Sequence, residues 1–217
     1  MCEMKKPKYV LFDLGNVLVY IHPEAFLPTL GIDTQEKRQF YRPHVIEIVK
    51  SYERGDDTTE QYLDRLDDLF NQGGGESQSR PYAEVKHFTR EDFTIAMLAV
   101  VGKPVEGMED LVRRVTASVP AGLLSNTNPL HYDSCRSTLP VLQLIPHHFL
   151  SFQLRSLKPE PLIFEKVLKQ LPFEAREILY IDDLEENLNA AEQAGFGCHL
   201  FRGTSELQAV LGRLGIT

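Results

Sequence analysis

Several polar residues that could act on a charged substrate each follow a short apolar run. Asp13 follows Y-V-L-F and Ser125 follows G-L-L. The pair Asp182-Asp183 follows I-L-Y-I, and Lys158 precedes an apolar helical pattern. A carboxylate at the end of a buried strand is costly unless it is paired, hydrogen-bonded or bound to a metal. Ligands of open α/β sheets bind at the carboxyl edge of the strands, so we expect these residues to converge there.

The chemistry of this set points to phosphoryl transfer. Converging carboxylates repel one another unless a cation lies between them, and oxygen-only ligands favour a hard ion, Mg²⁺ above all. The metal and Lys158 would bind a dianion such as phosphate, while Ser125 and the backbone N–H groups after it could donate to its oxygens. Asp13 could then attack phosphorus and form an acyl phosphate that water hydrolyses. Alone, the carboxylates and Ser125 could simply cap a turn or a helix, and Lys158 could be a solvated lysine, but their joint occurrence favours a site.

Strand and helix patterns alternate at the start of the chain and throughout its second half. This alternation predicts an α/β fold, a Rossmann-like parallel sheet with helices on both faces. The predicted strands are Tyr9–Phe12, Gly122–Leu124, Phe149–Leu154, Ile178–Ile181 and Cys198–Phe201. The predicted helices of this part are Gly107–Ala117, one with Pro159 in its first turn, one from Leu184 to a stop at Gly195, and Ser205–Leu214.

Residues 20–103 show helical patterns and no strong strand pattern. The predicted helices are Glu24–Leu30, Gln35–Lys50 with an interruption or kink at Pro43, Thr58–Phe70 with a Thr58/Gln61 capping box, and Arg90–Val101. A simple crossover needs only about a dozen residues. We therefore predict that residues 20–103 are an inserted helical cap over the ligand edge, and that residues 1–19 and 104–217 form the catalytic core.

The bulk composition sets limits on partners. The chain has 217 residues, 42% hydrophobic and 25% charged, as in ordinary globular proteins. A net charge of -8 argues against a broad nucleic-acid surface, so we expect no nucleic-acid partner. The three cysteines have no C-x-x-C spacing, which argues against a disulfide framework or a zinc site.

The N-terminus has lysines before an apolar run, as a signal peptide does. Asp13 ends that run after four residues, and no small-residue cleavage site follows. The sequence also lacks a stretch of about 18 apolar residues, so we expect no membrane span. We predict a cytoplasmic protein, a monomer or weak dimer, without a membrane partner.

Taken together, these motifs resemble the haloacid dehalogenase-like hydrolase superfamily. F-D-L-G-N-V-L is similar to its motif one, L-L-S-N-T-N to motif two, L-K-P-E-P-L-I-F to motif three and Y-I-D-D-L-E-E-N to motif four. Asn187 falls where motif four commonly ends. The resemblance covers about residues 8–19 and 107–202. Within the insert, Y-E-R-G-D-D-T-T-E-Q-Y is similar to a stretch of the D-L-G-N subgroup, which includes bacterial alpha-D-glucose-1-phosphate phosphatase.

The resemblance implies a role for each motif residue that binds the metal. Asp13 would be the nucleophile and a Mg²⁺ ligand, and the backbone carbonyl of Gly15 would be the second protein ligand. Asp183 would bind the metal directly, with Asp182 supporting it or binding through water.

The resemblance also implies how the substrate is held. Ser125 and Lys158 would bind the phosphoryl group, assisted by the amide of Asn126. The expected activity is a Mg²⁺-dependent phosphatase acting on a small-molecule phosphate ester, with a sugar phosphate favoured.

One position departs from the family pattern. Most phosphatases of the family have a second aspartate two residues after the nucleophile, where it donates a proton to the leaving group and later activates water. Here that position is Gly15. Asn16 can orient a water but cannot exchange a proton at neutral pH. His22 or a carboxylate of the cap could substitute.

Three other functions fit part of the pattern. The dehalogenase branch of the superfamily also lacks the second aspartate, although it has no use for a metal or for Asp182 and Asp183. A signalling receiver uses similar residues, but in a different chain order and without a cap. A phosphate-binding protein with little activity would be consistent with Gly15.

Overall fold

The computed structural model describes residues 6–72 and 87–217. The Gly73-Gly74-Gly75 run, which the sequence predicts to be a flexible connector, lies outside the described residues. The described strands are β1 (Tyr9–Phe12), β2 (Val19–Ile21), β3 (Val101–Pro104), β4 (Ala121–Ser125), β5 (His147–Leu150), β6 (Ile178–Asp182) and β7 (Gly197–Leu200). Five of them form a parallel sheet in the order β5-β4-β1-β6-β7. The predicted Rossmann-like parallel sheet is confirmed.

Strand β1 lies at the centre of this sheet and is buried on both faces. Val10 and Phe12 pack into the hydrophobic cluster on one face, and Tyr9 and Leu11 pack into the cluster on the other. All four side chains are fully buried. The chain adds strands on one side of β1 first and on the other side afterwards, so the carboxyl ends of β1 and β6 lie at the crevice where such sheets bind ligands.

The described α-helices are α1 (Phe26–Thr29), α2 (Gln35–Arg54), α3 (Thr59–Asp67), α4 (Arg90–Leu98), α5 (Met108–Ser118), α6 (Pro129–Thr138), α7 (Ser151–Leu154), α8 (Pro161–Leu168), α9 (Glu185–Gln193) and α10 (Thr204–Arg213). Two predictions from the sequence are wrong in detail. The strand predicted over Phe149–Leu154 ends at Leu150, because the apolar run continues into α7. The first turn of α8 holds Pro161 rather than Pro159, which follows Lys158 in a cis peptide bond.

Helix α2 runs without a break through Pro43, so the predicted interruption is wrong. Pro43 is exposed and removes one backbone donor. The opposite face of α2 packs Tyr41, Val45, Ile48 and Tyr52 into the core of the insert. This burial keeps the helix continuous. The predicted capping box of Thr58 and Gln61 before α3 is confirmed.

A short antiparallel pair, β2 and β3, was not predicted. Val19 pairs with Pro104 and Ile21 with Val101, so the chain leaves the sheet and returns to it at neighbouring positions. The strands are three and four residues long and partly exposed, and they give no clear periodic pattern. The helices between them share a hydrophobic cluster that runs from Phe26 to Val100. Among the described residues, no helix is long and apolar enough to cross a bilayer.

The carboxyl end of α2 is held against residues that follow β4 and β5 of the parallel sheet. The hydroxyl of Ser151 lies 2.6 Å from the backbone carbonyl oxygen of Glu53 and accepts a hydrogen bond from the N–H of Thr127 at 3.0 Å. Gly55 ends the helix with φ +80°, and a Cβ atom there would lie 2.2 Å from the carbonyl oxygen of Phe152. Only glycine fits this close approach.

Candidate active site

Lys158 lies at the centre of the polar network beyond the carboxyl ends of β1, β4 and β6. Its Nζ is 2.8 Å from Asp13 Oδ1 and 2.8 Å from Asp182 Oδ2, and it donates to the carbonyl oxygen of Leu124 at 3.2 Å. The Lys158 side chain is only 2% exposed. All three of its N–H donors therefore have partners, and the ammonium holds two buried carboxylates together.

Asp182 uses both of its oxygens within the protein. Oδ1 accepts from the N–H of Leu184 at 2.8 Å and from Asn187 Nδ2 at 3.0 Å. Oδ2 accepts from Lys158 and from the hydroxyl of Tyr180. Asp182 is fully buried. A carboxylate with this many donors is suited to hold Lys158 in place.

Asp183 is more exposed to solvent than Asp182. Its Oδ2 accepts one hydrogen bond, from Asn16 Nδ2 at 3.0 Å, and the residue is partly exposed. Asn16 has φ +54°, a left-handed conformation that asparagine tolerates. One carboxylate oxygen each from Asp13, Asp182 and Asp183 lie within 4.8 Å of one another. This spacing suits a shared cation.

Burial is the largest influence on the pKa of Asp13, the candidate nucleophile. Burial raises the pKa of Asp13 to about 7, although Lys158 opposes the shift, and Asp182 adds to it. Burial also raises the pKa of Asp183. Burial acts against ionisation of Asp182 too, but Lys158 and the hydrogen bonds around this carboxylate lower its pKa overall. One lysine therefore does not balance the three carboxylates.

Ser125 ends β4 and is 2% exposed, with its hydroxyl 3.3 Å from the carbonyl oxygen of Asn126. The side chain of Asn126 is engaged elsewhere. Its Nδ2 donates to the carbonyl oxygen of Lys158 at 2.9 Å, and its Oδ1 accepts from the N–H of Lys158 at 2.8 Å. The Asn126 side chain thus fixes the backbone that carries the lysine.

A cavity of about 620 Å³ lies between the insert and this edge of the sheet. Gly15, Ser125 and Asn126 line its sheet side. The opposite wall is mainly apolar and includes Phe26, Leu27, Val45, Val49, Met97 and Val100. The charged side chains around it come largely from one face of α2: Arg38, Arg42, Lys50 and Glu53. The cavity could hold a small molecule with its anionic end near Ser125.

His131 connects the two sides of this cavity. Its Nδ1 lies 3.1 Å from Asn128 Nδ2 and its Nε2 lies 2.8 Å from the carbonyl oxygen of Met97 in α4. This pattern requires a neutral ring that accepts at Nδ1 and donates from Nε2. Burial lowers the pKa of His131, in agreement with the neutral form.

We expect His131 to make the fold sensitive to acid. Because its pKa is lower in the folded than in the unfolded chain, the unfolded state binds the proton first as the pH falls below about 6.5. Stability conferred by the neutral ring is present above that pH and is lost below it. We would measure the free energy of unfolding in urea at pH 7.5 and at pH 5.5. Its decrease between the two pH values should be smaller for His131→Gln than for wild type, by roughly 1 kcal/mol. Equal losses would contradict this assignment.

The structure brings together Asp13, Ser125, Lys158, Asp182 and Asp183, as the strand ends predicted. Two further residues of the network were not predicted. Tyr180 shares a face of β6 with Asp182, and their spacing of two residues was the available signal. Ser151 gave no signal in the sequence. His22, a candidate proton donor, is exposed on the surface and lies 3.4 Å from Glu24.

The fold and this edge of the sheet define the class of protein. A family model for haloacid dehalogenase-like hydrolases matches residues 7–195. The chain belongs to this hydrolase family, as its motifs predicted. The receiver interpretation is therefore wrong.

The chain is similar to D-ribitol-5-phosphate phosphatase of Bacteroides thetaiotaomicron, with 25% identity over 199 residues, 87% of this chain and 89% of that protein. The similarity to alpha-D-glucose-1-phosphate phosphatase stays a prediction.

Solved structures share the fold. A HAD family enzyme from the same bacterium superposes with a TM-score of 0.80 at 22% identity, covering 95% of this chain and 99% of that one. A complex of that enzyme with magnesium and inorganic phosphate gives a TM-score of 0.76 at 21% identity, covering 91% of this chain and 95% of that one. A dehalogenase in an intermediate complex gives a TM-score of 0.63 at 12% identity, covering 93% of this chain and 88% of that one.

Proposed function

We propose that this protein is a Mg²⁺-dependent phosphatase that hydrolyses a small phosphorylated metabolite through a phosphoaspartyl intermediate on Asp13. The observation that carries this proposal is the buried Asp13–Lys158–Asp182 network beneath a ligand-sized cavity. A lone nucleophilic carboxylate would not need this arrangement, whereas a phosphoryl group needs both an attacking oxygen and cations that neutralise its charge.

The residues present fit a magnesium ion. The donor set is made of oxygens, which suits a hard cation. The raised pKa values of Asp13 and Asp183 reflect burial that one lysine does not offset. Asp13, Asp183 and the backbone carbonyl of Gly15 would hold the ion, with Asp182 supporting them or binding through water. When bound, the ion would neutralise negative charge on the phosphoryl oxygens.

The side chains of the site divide the remaining work. Lys158 would redirect one of its three N–H donors to a phosphoryl oxygen while keeping Asp13 oriented, and Ser125 would donate to a second oxygen, with the backbone amide of Asn126 assisting. Asp13 would attack phosphorus in line with the departing oxygen, so that the leaving group faces the cavity. Water entering from the cavity would then cleave the acyl phosphate and regenerate Asp13.

A sugar phosphate or sugar-alcohol phosphate is the favoured substrate. This choice is supported by the similarity to a D-ribitol-5-phosphate phosphatase and by a cavity of about 620 Å³. We also propose that residues 20–103 act as the cap that selects the substrate, with residues 1–19 and 104–217 as the catalytic core. The separate hydrophobic cluster of the insert supports this division.

A screen of phosphorylated metabolites tests this function. We expect phosphate release from sugar or sugar-alcohol phosphates with Mg²⁺, and loss of this activity with EDTA. Haloacids in the same screen test the alternative of a metal-independent dehalogenase, which Gly15 would permit. Halide release without Mg²⁺ would establish that alternative. If neither phosphate nor halide were released, a binding protein with little activity would be the better interpretation.

A further inference from the structure

Gly15 leaves the proposed reaction without a proton donor at the usual position, and a carboxylate of the insert lines the same cavity. Glu53 is in the last turn of α2, and it lines the same cavity as Gly15, Ser125 and Asn126. We propose that Glu53 is the general acid and base of this enzyme. This inference rests on the proposed phosphatase function and names the residue that replaces the missing second aspartate.

The position of Glu53 is fixed from the sheet side of the site. Its backbone carbonyl oxygen lies 2.6 Å from the Ser151 hydroxyl, which also accepts from the N–H of Thr127. Thr127 is two residues after Ser125, on the loop that would bind the phosphoryl group. The helix end that carries Glu53 and that loop are therefore held together through one hydroxyl.

In the proposed in-line reaction, the leaving oxygen would face the cavity that Glu53 lines. Asp13 attacks from the edge of the sheet, so the departing oxygen points away from the sheet and into the cavity. The water of the second step enters by the same direction. A group on the cavity wall is the kind that can serve both steps, and Glu53 is half-buried there.

The Glu53 carboxylate is available for proton transfer. Among the described residues, no hydrogen-bond donor reaches its carboxylate oxygens, and the charged groups that act on it are Lys50 and Lys158. Burial raises the pKa of Tyr62 of α3, and the charge of the nearby Glu53 adds to this shift. Burial raises the pKa of Glu53 to about 7, with both lysines opposing the shift. Both protonation states are thus accessible at neutral pH.

Two other ionisable candidates, His22 and His131, are less suitable. His22 is exposed and lies 3.4 Å from Glu24. His131 lines the cavity, but both of its ring nitrogens have partners in Asn128 and Met97.

The two steps balance with Glu53 as the proton carrier. As the Asp13 oxygen bonds to phosphorus and the ester P–O bond breaks, protonated Glu53 gives its proton to the leaving alkoxide. Water then attacks phosphorus and gives a proton to the Glu53 carboxylate as the bond to Asp13 breaks. The products are the alcohol and inorganic phosphate, with Asp13 ionised and Glu53 protonated again.

The test is Glu53→Gln, assayed with Mg²⁺ on an alkyl phosphate that the wild type hydrolyses and on p-nitrophenyl phosphate. For the alkyl phosphate we expect kcat/KM to fall roughly 10²- to 10³-fold, because the poor leaving group needs the proton. p-Nitrophenolate leaves without protonation, so the variant should release about one equivalent in a rapid burst and then turn over slowly. In wild type, kcat/KM for the alkyl phosphate should fall as the pH rises above about 7, and Glu53→Gln should remove this limb.

Matched variants separate proton transfer from structure. Glu47→Gln, an exposed carboxylate on the same helix, should keep wild-type rates and the wild-type pH profile. Adding Gly15→Asp to Glu53→Gln should restore much of the alkyl phosphate activity, since among the described residues beyond its chain neighbours a Cβ at Gly15 meets the Ile21 side chain alone, at 3.2 Å. If Glu53→Gln did not fold, Glu53→Asp would serve, with a lower kcat and the alkaline limb retained.

Failure of the proposed phosphatase function can be distinguished from failure of the proposed role of Glu53. If wild type hydrolysed no phosphate ester, the proposed function would fail and this inference with it. If wild type were active and Glu53→Gln kept alkyl phosphate activity within threefold, only this inference would fail. An equal loss on both substrates without a burst would also overturn it, because that is the result of a purely structural role. A wild-type rate in Glu53→Asp would also overturn this inference.

Discussion

Replacing Asp13 with asparagine should lower kcat by roughly four orders of magnitude or more, the scale associated with removal of a covalent nucleophile. An amide cannot form the acyl phosphate. The side chain keeps its size, and its oxygen can still accept from the N–H of Leu14, which lies 2.7 Å from Asp13 Oδ1. We therefore expect the variant to fold and to bind phosphate esters without turning them over.

The experiment is single-turnover phosphate release with Mg²⁺, together with thermal unfolding. Asp110→Asn, an exposed carboxylate on α5, is the control and should behave as wild type. Acid quenching of the wild type during turnover should trap phosphate on the protein, and the Asp13→Asn variant should trap none. Wild-type turnover by Asp13→Asn would refute the proposed mechanism.

Lys158→Met should affect both stability and activity. The substitution leaves the carboxylates of Asp13 and Asp182 buried without the ammonium that lies 2.8 Å from each. Breaking a buried ion pair from one side costs about 3–5 kcal/mol, so the free energy of unfolding should fall by that amount. Activity should fall by roughly 10²- to 10³-fold, because a cation that stabilises the transition state is lost.

Magnesium offers a separate readout for this variant. If the ion binds the same carboxylates, adding Mg²⁺ should raise the unfolding temperature of Lys158→Met, because a ligand that binds only the folded state stabilises it. Lys169→Met, an exposed lysine just after α8, should leave stability and activity unchanged. Equal stability of Lys158→Met and wild type in EDTA would mean that the lysine does not neutralise the buried carboxylates.

The sequence was most informative where apolar strands end in polar residues. Asp13, Ser125 and Asp182 could be placed because each follows a run that is buried on both faces of a parallel sheet. Strand topology then brings those ends together without further information. The family resemblance rests on the same residues, so the sequence alone supports it.

Other features depend on tertiary contacts that leave little local pattern. The strands β2 and β3 are short and partly exposed, and only their pairing identifies them. The helix α7 continues the apolar run of β5, so periodicity could not separate the two. Pro159 and Pro161 both suit the start of a helix, and the sequence favoured the wrong one. The place of Glu53 depends on how α2 docks on the sheet.

The attachment of α2 through Ser151 also has a consequence for the order of events in a catalytic cycle. Because the carboxyl end of α2 is held by Ser151, we expect any displacement of α2 to be smallest there and largest at its opposite end, around Arg38 and Arg42. We expect substrate entry and alcohol departure at that opposite end, while the proton carrier keeps its distance from phosphorus. Water would then attack the short-lived acyl phosphate while Glu53 is already in position, before the insert closes fully.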